Sequence, residues 1–147
     1  MPIRCEIVSQ DRMVFEGDAD MVKLPGSEGE MGILPNHSPL LTALKFGVIT
    51  VRFEGHEEHF TVAGGIAEVQ PEIVTILADA AENVEDIDIS RAETARKRAE
   101  EILAKGVPAD TESYLAIEAA LRRSTLRLQA ARRFNKTPGR PSRTPDE

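Results

Sequence analysis

The sequence predicts an α+β protein in which an N-terminal antiparallel β-sandwich is followed by a C-terminal antiparallel two-helix hairpin. Apolar and polar residues alternate in short runs from Ile3 to about Leu77, and turn residues separate these runs. Near Asp86 the apolar spacing changes to the period of a helix. We therefore expect three segments, namely a sandwich over residues 1–85, a hairpin over residues 86–134 and a disordered tail over residues 135–147.

The strand pattern is clear in the first run of the chain. Ile3, Cys5 and Ile7 share one face, and the polar Arg4 and Glu6 lie on the other. Turn signals then recur at short intervals, which is typical of many short strands packed in a sandwich. They lie at residues 9–11, 16–18, 54–56, 63–65 and 70–72.

The segment 26–44 differs from the other turns because its glycines and prolines lie between apolar residues. Proline fixes φ and pushes the residue before it toward extended backbone. With Pro35 and Pro39 on either side of it, His37 is expected at the apex of a stiff, exposed loop. Such a loop is suited to docking on another protein.

Two helices are predicted after residue 86. The first begins with Asp88 or Ser90 as its N-cap and runs to about Lys105, and the second spans roughly residues 111–133. Because this hairpin has little core of its own, it must pack on the sandwich, on itself or on another protein. The expected apolar faces are Ala92, Ala95, Ala99, Ile102 and Leu103 on the first helix and Tyr114, Ile117, Leu121 and Leu128 on the second.

Charge is divided unevenly along the chain, whose formal net charge is -7. Residues 1–85 contain 5 Lys/Arg and 15 Asp/Glu, whereas residues 86–147 contain 13 and 10. Because an acidic surface repels phosphate groups, we expect no binding of nucleic acid. The basic second part is suited to an anionic partner.

Several classes of protein are disfavoured. No apolar run approaches the roughly 20 residues of a membrane span, and the first residues lack the apolar core of a signal peptide, so a cytoplasmic protein is expected. The single cysteine, Cys5, excludes an internal disulfide and a multi-cysteine zinc site. Gly64-Gly65 lacks the lysine and hydroxyl of a phosphate-binding loop. We predict a protein that is not an enzyme and requires no cofactor.

Three histidines raise the alternative of a β-sandwich metalloenzyme. His56-Glu57-Glu58-His59 lies at a predicted hairpin and does not match the His-Glu-x-x-His zinc pattern, so we interpret it as a solvated turn. A metal site would require His37, His56 and His59 to converge, and we predict no metal.

A family resemblance extends over about residues 1–134. Residues 29–44, Gly-Glu-Met-Gly-Ile-Leu-Pro-Asn-His-Ser-Pro-Leu-Leu-Thr-Ala-Leu, resemble the signature loop of the epsilon subunit of F-type ATP synthases. Residues 64–69, Gly-Gly-Ile-Ala-Glu-Val, are similar to a second segment of that family, with Ile66 in place of an aromatic residue. The resemblance implies that the sandwich docks on the gamma subunit and the c-ring of the synthase. The implied interface residues are Glu30, Met31, Ile33, His37, Leu40 and Leu41.

The resemblance also implies a role for the whole chain. It would be a rotor component of the central stalk, peripheral to the cytoplasmic face of the bacterial inner membrane. Its hairpin would permit rotation when retracted and would inhibit ATP hydrolysis when extended toward the alpha and beta catalytic subunits.

The resemblance implies an ATP site. Residues 87–92, Ile-Asp-Ile-Ser-Arg-Ala, resemble the (Ile/Leu)-Asp-x-x-Arg-Ala motif of epsilon subunits that bind ATP. Helical spacing places each arginine pair on one helix face, where guanidinium groups suit a triphosphate. The alternative is that Asp88 only caps the helix and that the arginines are solvated or paired. The implied ligand residues are Glu82, Asp88, Arg91, Ala92, Arg98, Arg123 and Arg127.

A free-standing ATP-sensing module is the main alternative function. Residues 29–44 discriminate between the two, since a lone sensor has no need of a rigid apolar docking loop.

Overall fold

A computed structural model describes residues 1–106 and 110–135. The chain divides into two compact units, Met1–Val84 and Glu85–Glu147. The division falls one residue before the predicted end of the sandwich. The predicted disordered tail lies outside the described residues, except for Asn135 at its first position.

Within the described residues, the first unit consists of strands and the second consists of helices. The strands are β1 Ile3–Val8, β2 Met13–Ala19, β3 Met21–Gly26, β4 Gly29–Ile33, β5 Leu40–Phe53, β6 His56–Val69, β7 Ile73–Ala78 and β8 Ala81–Asn83. A short 3-10 helix, Val84–Asp86, is followed by helix α1, Ile89–Ala104, and helix α2, Thr111–Phe134. The predicted α+β class is confirmed.

The strands pair in the order β2-β1-β7-β6-β5-β3-β4, and β8 pairs with β6. Strands β5 and β6 have 14 residues each and pair along most of their length around the predicted turn at Glu54 and Gly55. All pairings are antiparallel except that between β1 and β7, which are parallel. The long connection between these two strands permits the parallel arrangement, which a tight hairpin does not.

The core of the sandwich is formed by the faces that the alternation predicts. Ile3, Cys5 and Ile7 of β1 are all 0% exposed. The rings of Phe15 and Phe60 pack with their centroids 5.3 Å apart. Burial, with a smaller contribution from the Glu6 carboxylate, raises the pKa of the Cys5 thiol to about 12. Cys5 is therefore an unreactive part of the core.

The turn predicted at residues 16–18 is wrong, because these residues belong to β2. Gly17 pairs directly with Cys5 of β1. A Cβ atom at Gly17 would lie 3.1 Å from Cζ of Phe15, so the glycine leaves room for this ring rather than for a turn.

The turn predicted at residues 63–65 is also wrong, because β6 continues through it. Gly64 and Gly65 have φ angles of 89° and 138°, which favour glycine. A Cβ atom at Gly65 would lie 2.3 Å from the carbonyl oxygen of Leu77 on β7. The two glycines permit these φ angles and let β7 approach closely.

The N-cap of α1 is Asp88, one of the two predicted candidates. Its Oδ1 accepts a hydrogen bond from the backbone N–H of Arg91 at 3.1 Å. Ser90 lies inside the helix, where its carbonyl accepts from the hydroxyl of Thr94 at 3.0 Å. Asp88 therefore caps the N-terminus of α1.

Helix α2 begins at a similar cap. The hydroxyl of Ser113 and the backbone N–H of Glu112 donate to Asp110 at 2.8 and 3.1 Å. These hydrogen bonds lower the pKa of Asp110, with that from the Ser113 hydroxyl contributing most.

The two helices form the predicted antiparallel hairpin. Arg132, near the end of α2, donates to Glu93, near the start of α1, at 2.7 Å. The predicted apolar face of α1 is only partly correct, because Ala92 and Ala99 are buried whereas Ala95 and Ile102 are exposed. The buried residues of α2 are Ser124, Leu128, Ala130 and Ala131.

Candidate functional site

The loop around His37 is fixed to the rest of the sandwich. Asn36 has a φ of 66°, and His37 N–H donates to the Leu34 carbonyl at 3.2 Å across this turn. The N–H of Asn36 donates to the carbonyl of Pro71, in the turn between β6 and β7, at 2.9 Å. Nδ1 of His37 lies 2.7 Å from the Ser38 carbonyl oxygen. The loop is therefore tied down by backbone contacts.

The other implied interface residues occupy two strands rather than an irregular loop. Glu30, Met31 and Ile33 belong to β4, and Leu40 and Leu41 begin β5. Glu30 pairs with a lysine of β3 at 3.3 Å, and Ile33 is buried in the core. Leu40 and Leu41 are 37% and 70% exposed. Of these five residues, Glu30 and the two leucines are therefore the most exposed to solvent.

An exposed line of apolar side chains crosses five strands of the sandwich, and we call it the apolar row. Ala43 of β5 pairs with Ile66 of β6, which pairs with Leu77 of β7. Leu77 pairs with Val8 of β1, which pairs with Met13 of β2. Ile66, Leu77 and Met13 are 48%, 56% and 47% exposed, so large apolar side chains meet solvent here.

The apolar row was not found in the sequence. Its members come from five separate strands, and only the strand register brings them into one line. One signal was available in the sequence. Ile66 and Leu77 occupy positions that alternate with the core residues Ala67 and Ile76, and an outward position on such a strand is usually polar.

The implied ATP residues lie on both units. Glu82 is part of β8 in the first unit. In the second unit, Ala92 is 0% exposed and Asp88 caps α1. Arg91, Arg98 and Arg123 are exposed, and Arg127 is half-buried.

The hairpin brings two of these arginines to the same level. The contact between Glu93 and Arg132 fixes the register of the antiparallel helices. Arg98 is five residues further along α1, and Arg127 is five residues back along α2. Since each helix rises about 1.5 Å per residue, both lie about 7.5 Å from the ion pair along the hairpin. Two arginines thus lie at one level of the hairpin.

His56 and His59 lie on β6, whereas His37 lies in the loop between β4 and β5. His59 Nδ1 is 3.0 Å from the hydroxyl of Thr50, and its Nε2 is 3.6 Å from a carboxylate oxygen of Glu57. The side-chain hydrogen bond from Arg52 lowers the pKa of Glu57. In the part of the chain that the structure describes, no three His, Cys, Asp or Glu side chains are grouped as a metal site requires.

No helix within residues 1–106 and 110–135 has the length and apolar character that a bilayer span requires.

Comparisons with known proteins identify both units. The profile of the ATP synthase delta/epsilon chain β-sandwich domain matches residues 2–84. The profile of the delta/epsilon chain long α-helix domain matches residues 85–132.

Relatives named ATP synthase epsilon chain are similar over almost the whole length. That of Dehalococcoides mccartyi strain BAV1 is 44% identical over 137 residues, which are 92% of this chain and 96% of the relative. That of Herpetosiphon aurantiacus is 46% identical over 132 residues, which are 90% of this chain and 96% of the relative.

A chain in the structure of the Euglena gracilis mitochondrial ATP synthase, described as OSCP/F1/c-ring, is similar in fold. It matches with a TM-score of 0.72 and 27% identity, covering 88% of this chain and 81% of that chain. The family profiles and the bacterial relatives together account for both units. This chain belongs to the family of ATP synthase epsilon chains.

Proposed function

We propose that this chain is the non-catalytic epsilon subunit in the central stalk of a bacterial F-type ATP synthase, and that its sandwich docks on the gamma subunit through the apolar row. The row is the observation that carries this proposal. An apolar line across several strands is more than the scattered exposed residues of an ordinary surface, and it is typical of a protein contact. The similar chain in a structure described as OSCP/F1/c-ring supports the same environment.

The row has the properties of a stable docking surface. Its backbone is fixed by pairing between strands, so ordering it on binding costs little entropy. Covering Ile66 and Leu77 would remove large apolar surface from water. This favours association by roughly 25 cal/mol per Å², before the entropy cost of association is subtracted. A free-standing ATP sensor has no use for such a surface, so the subunit assignment is preferred.

Binding of the full chain to the F1 assembly purified without this chain and without the c-ring tests the proposal. Leu77→Ala should weaken binding about tenfold, since truncation at the centre of an interface costs more than 1 kcal/mol at anchor residues. Leu34→Ala is the matched control, because Leu34 is 58% exposed against 56% for Leu77 but lies outside the row. Equal affinities for the two variants would contradict docking through the row.

Glu30 of β4 is proposed to approach the c-ring, and His37 is proposed to lie where the sandwich meets gamma. Contact with the c-ring would place the chain peripherally at the cytoplasmic face of the inner membrane. The tie between Asn36 and Pro71 supports the role of His37, because it holds the loop in one shape. Among the implied interface residues, Glu30, Leu40 and Leu41 are exposed. Exchanging Leu41 for Ser should reduce ATP-driven proton pumping in membrane vesicles more than it reduces ATP hydrolysis.

The hairpin is proposed to regulate ATP hydrolysis by contact with the alpha and beta subunits when it extends. The basic character of α2 supports this, since cations suit acidic protein surfaces and steer association. The arginines of α2 are Arg122, Arg123, Arg127, Arg132 and Arg133.

ATP is proposed as a regulatory ligand of the hairpin, held by Arg91, Arg98, Arg123 and Arg127. The shared level of Arg98 and Arg127 supports this role. Bound ATP would favour the retracted hairpin only by its difference in affinity for the two states. No cofactor is needed for the chain to fold or dock.

Calorimetric titration of the full chain with ATP tests this part, with ADP and GTP as comparison ligands. We expect saturable, ATP-selective binding that is lost in the double variant Arg91→Ala and Arg123→Ala. Lys97→Ala is the control, because Lys97 is an exposed cation of α1 outside the proposed site. Undiminished ATP binding in the double variant would contradict the site.

A further inference from the structure

A second line of outward side chains runs beside the apolar row, and we call it the acidic row. It lies two residues from the apolar row on β5, β6, β7 and β1, about 7 Å away, and three residues from it on β2, where the pairing with β1 shifts register. Leu41 pairs with Glu68, and Glu68 pairs with Thr75. Thr75 pairs with Glu6, which pairs with Glu16. Three of the five positions are therefore carboxylates.

The carboxylates differ in their partners. Arg4 forms ion pairs with both Glu6 and Glu16. Glu68 accepts a hydrogen bond from the side-chain amide of Gln70 at 3.0 Å. Among the residues that the structure describes, no cation pairs with Glu68. Within the described residues, the charge of Glu68, two positions from Ile66 of the apolar row, is thus uncompensated.

An uncompensated carboxylate next to a docking surface has a physical consequence. When a partner covers the apolar row, Glu68 loses part of its hydration, and this costs free energy unless a cation replaces the water. Apolar contact is non-directional, so the row alone does not determine the orientation of a bound partner. A carboxylate beside Ile66 adds a directional requirement at that point of the row.

We propose that Glu68 is a specificity-determining residue of the docking surface, and that the gamma surface covering the apolar row presents a lysine or arginine to it. This rests on the proposed function. The partner surface that fits is an apolar strip with a basic residue along one edge. Glu6 and Glu16 need no such partner, because Arg4 neutralises them within the chain.

The test measures association of the full chain with the F1 assembly that contains gamma and lacks this chain, at low and at high salt. Glu68→Lys should weaken binding about tenfold at low salt, mainly through slower association, because it places two cations together. Glu68→Gln should weaken binding about threefold, as expected for the loss of one rim ion pair. Both differences should shrink at about 0.5 M salt, where charges at the rim are screened.

Glu58→Lys is the matched control, since Glu58 is an exposed glutamate of the same strand, far from both rows. It should bind within about twofold of the unmodified chain at both salt concentrations. If Glu68→Lys and Glu58→Lys bind equally while Leu77→Ala is weakened, the role of Glu68 is overturned and docking through the apolar row stands. The proposed function itself fails if the unmodified chain does not bind. It also fails if Leu77→Ala binds as tightly as the unmodified chain.

Discussion

The sandwich and the hairpin are built from different kinds of buried side chain. The fully buried residues of the sandwich include Phe60 and many isoleucines, leucines and valines. In the helices, the buried residues are alanines, Ser124 and Leu128. Stabilisation scales with the apolar area removed from water. Opening the sandwich should therefore cost much more free energy than opening the hairpin. We infer that the two units open at different free energies.

This difference suits the two proposed roles. A docking surface must keep its shape, and the apolar row lies on strands that are paired on both sides except at β2. A regulatory arm must change its packing at small cost, and small side chains such as Ala92 and Ala99 leave little contact to break.

The largest effect is expected at the centre of the sandwich. Phe60→Ala should lower the free energy of unfolding of the sandwich by about 3–5 kcal/mol, because it leaves a cavity beside the Phe15 ring. Labelling of the Cys5 thiol in increasing urea measures this opening, since the thiol is 0% exposed in the folded unit. Leu77→Ala is the control and should shift the labelling midpoint little. Equal midpoints for the two variants would show that the core is not where the structure has it.

A smaller effect, confined to the hairpin, is expected from Leu128→Ala. Leu128 is the one large side chain that α2 buries among its described residues, and its loss should cost the hairpin about 2–4 kcal/mol. Circular dichroism at 222 nm should show earlier loss of helix in urea, while the Cys5 labelling midpoint stays unchanged. A parallel shift of both signals would show that the two units unfold as one.

The cap of α1 gives a third and smaller effect. Asp88→Ala should cost the helix about 1 kcal/mol, because it removes the acceptor of the Arg91 N–H. Ser90→Ala should cost much less, since Ser90 is not the cap. Helix content in urea, followed at 222 nm, separates the two variants. The reverse order would assign the cap to Ser90.

The smallest effect depends on pH. The pKa of Asp110 is lowered from 3.8, so its stabilisation of α2 is complete above pH 3.8 and is lost as the pH falls through the lowered value. Helix content at 222 nm should therefore decrease in this acid range, and Asp110→Asn should remove that part of the decrease. Identical acid profiles for the two chains would contradict the role of Asp110.

The sequence predicted features that depend on neighbouring residues. The alternation at Ile3, Cys5 and Ile7, the turn at Glu54 and the start of α2 near Thr111 all follow from local rules. The features that were missed depend on residues far apart in the chain. Gly17 and Gly65 looked like turn residues, and only the ring of Phe15 and the approach of β7 explain them.

The candidate site divides in the same way. The loop around His37 was predicted because its prolines act locally, whereas the apolar row needs the register of five strands. The choice of Asp88 over Ser90 as the cap needed the observed hydrogen bond, since both residues are competent caps. The assignment of ATP residues stays a prediction from the family motif.

The division of roles between the two units is tested most directly by comparing the full chain with a chain that ends at Asp86. Both are added to the F1 assembly that lacks this chain, and binding and ATP hydrolysis are measured together. Circular dichroism first checks that the shortened chain keeps its strand signal. The division of roles predicts that the shortened chain still binds, with affinity close to that of the full chain, and that it no longer inhibits hydrolysis. A shortened chain that is folded but does not bind, or that still inhibits as the full chain does, would contradict it.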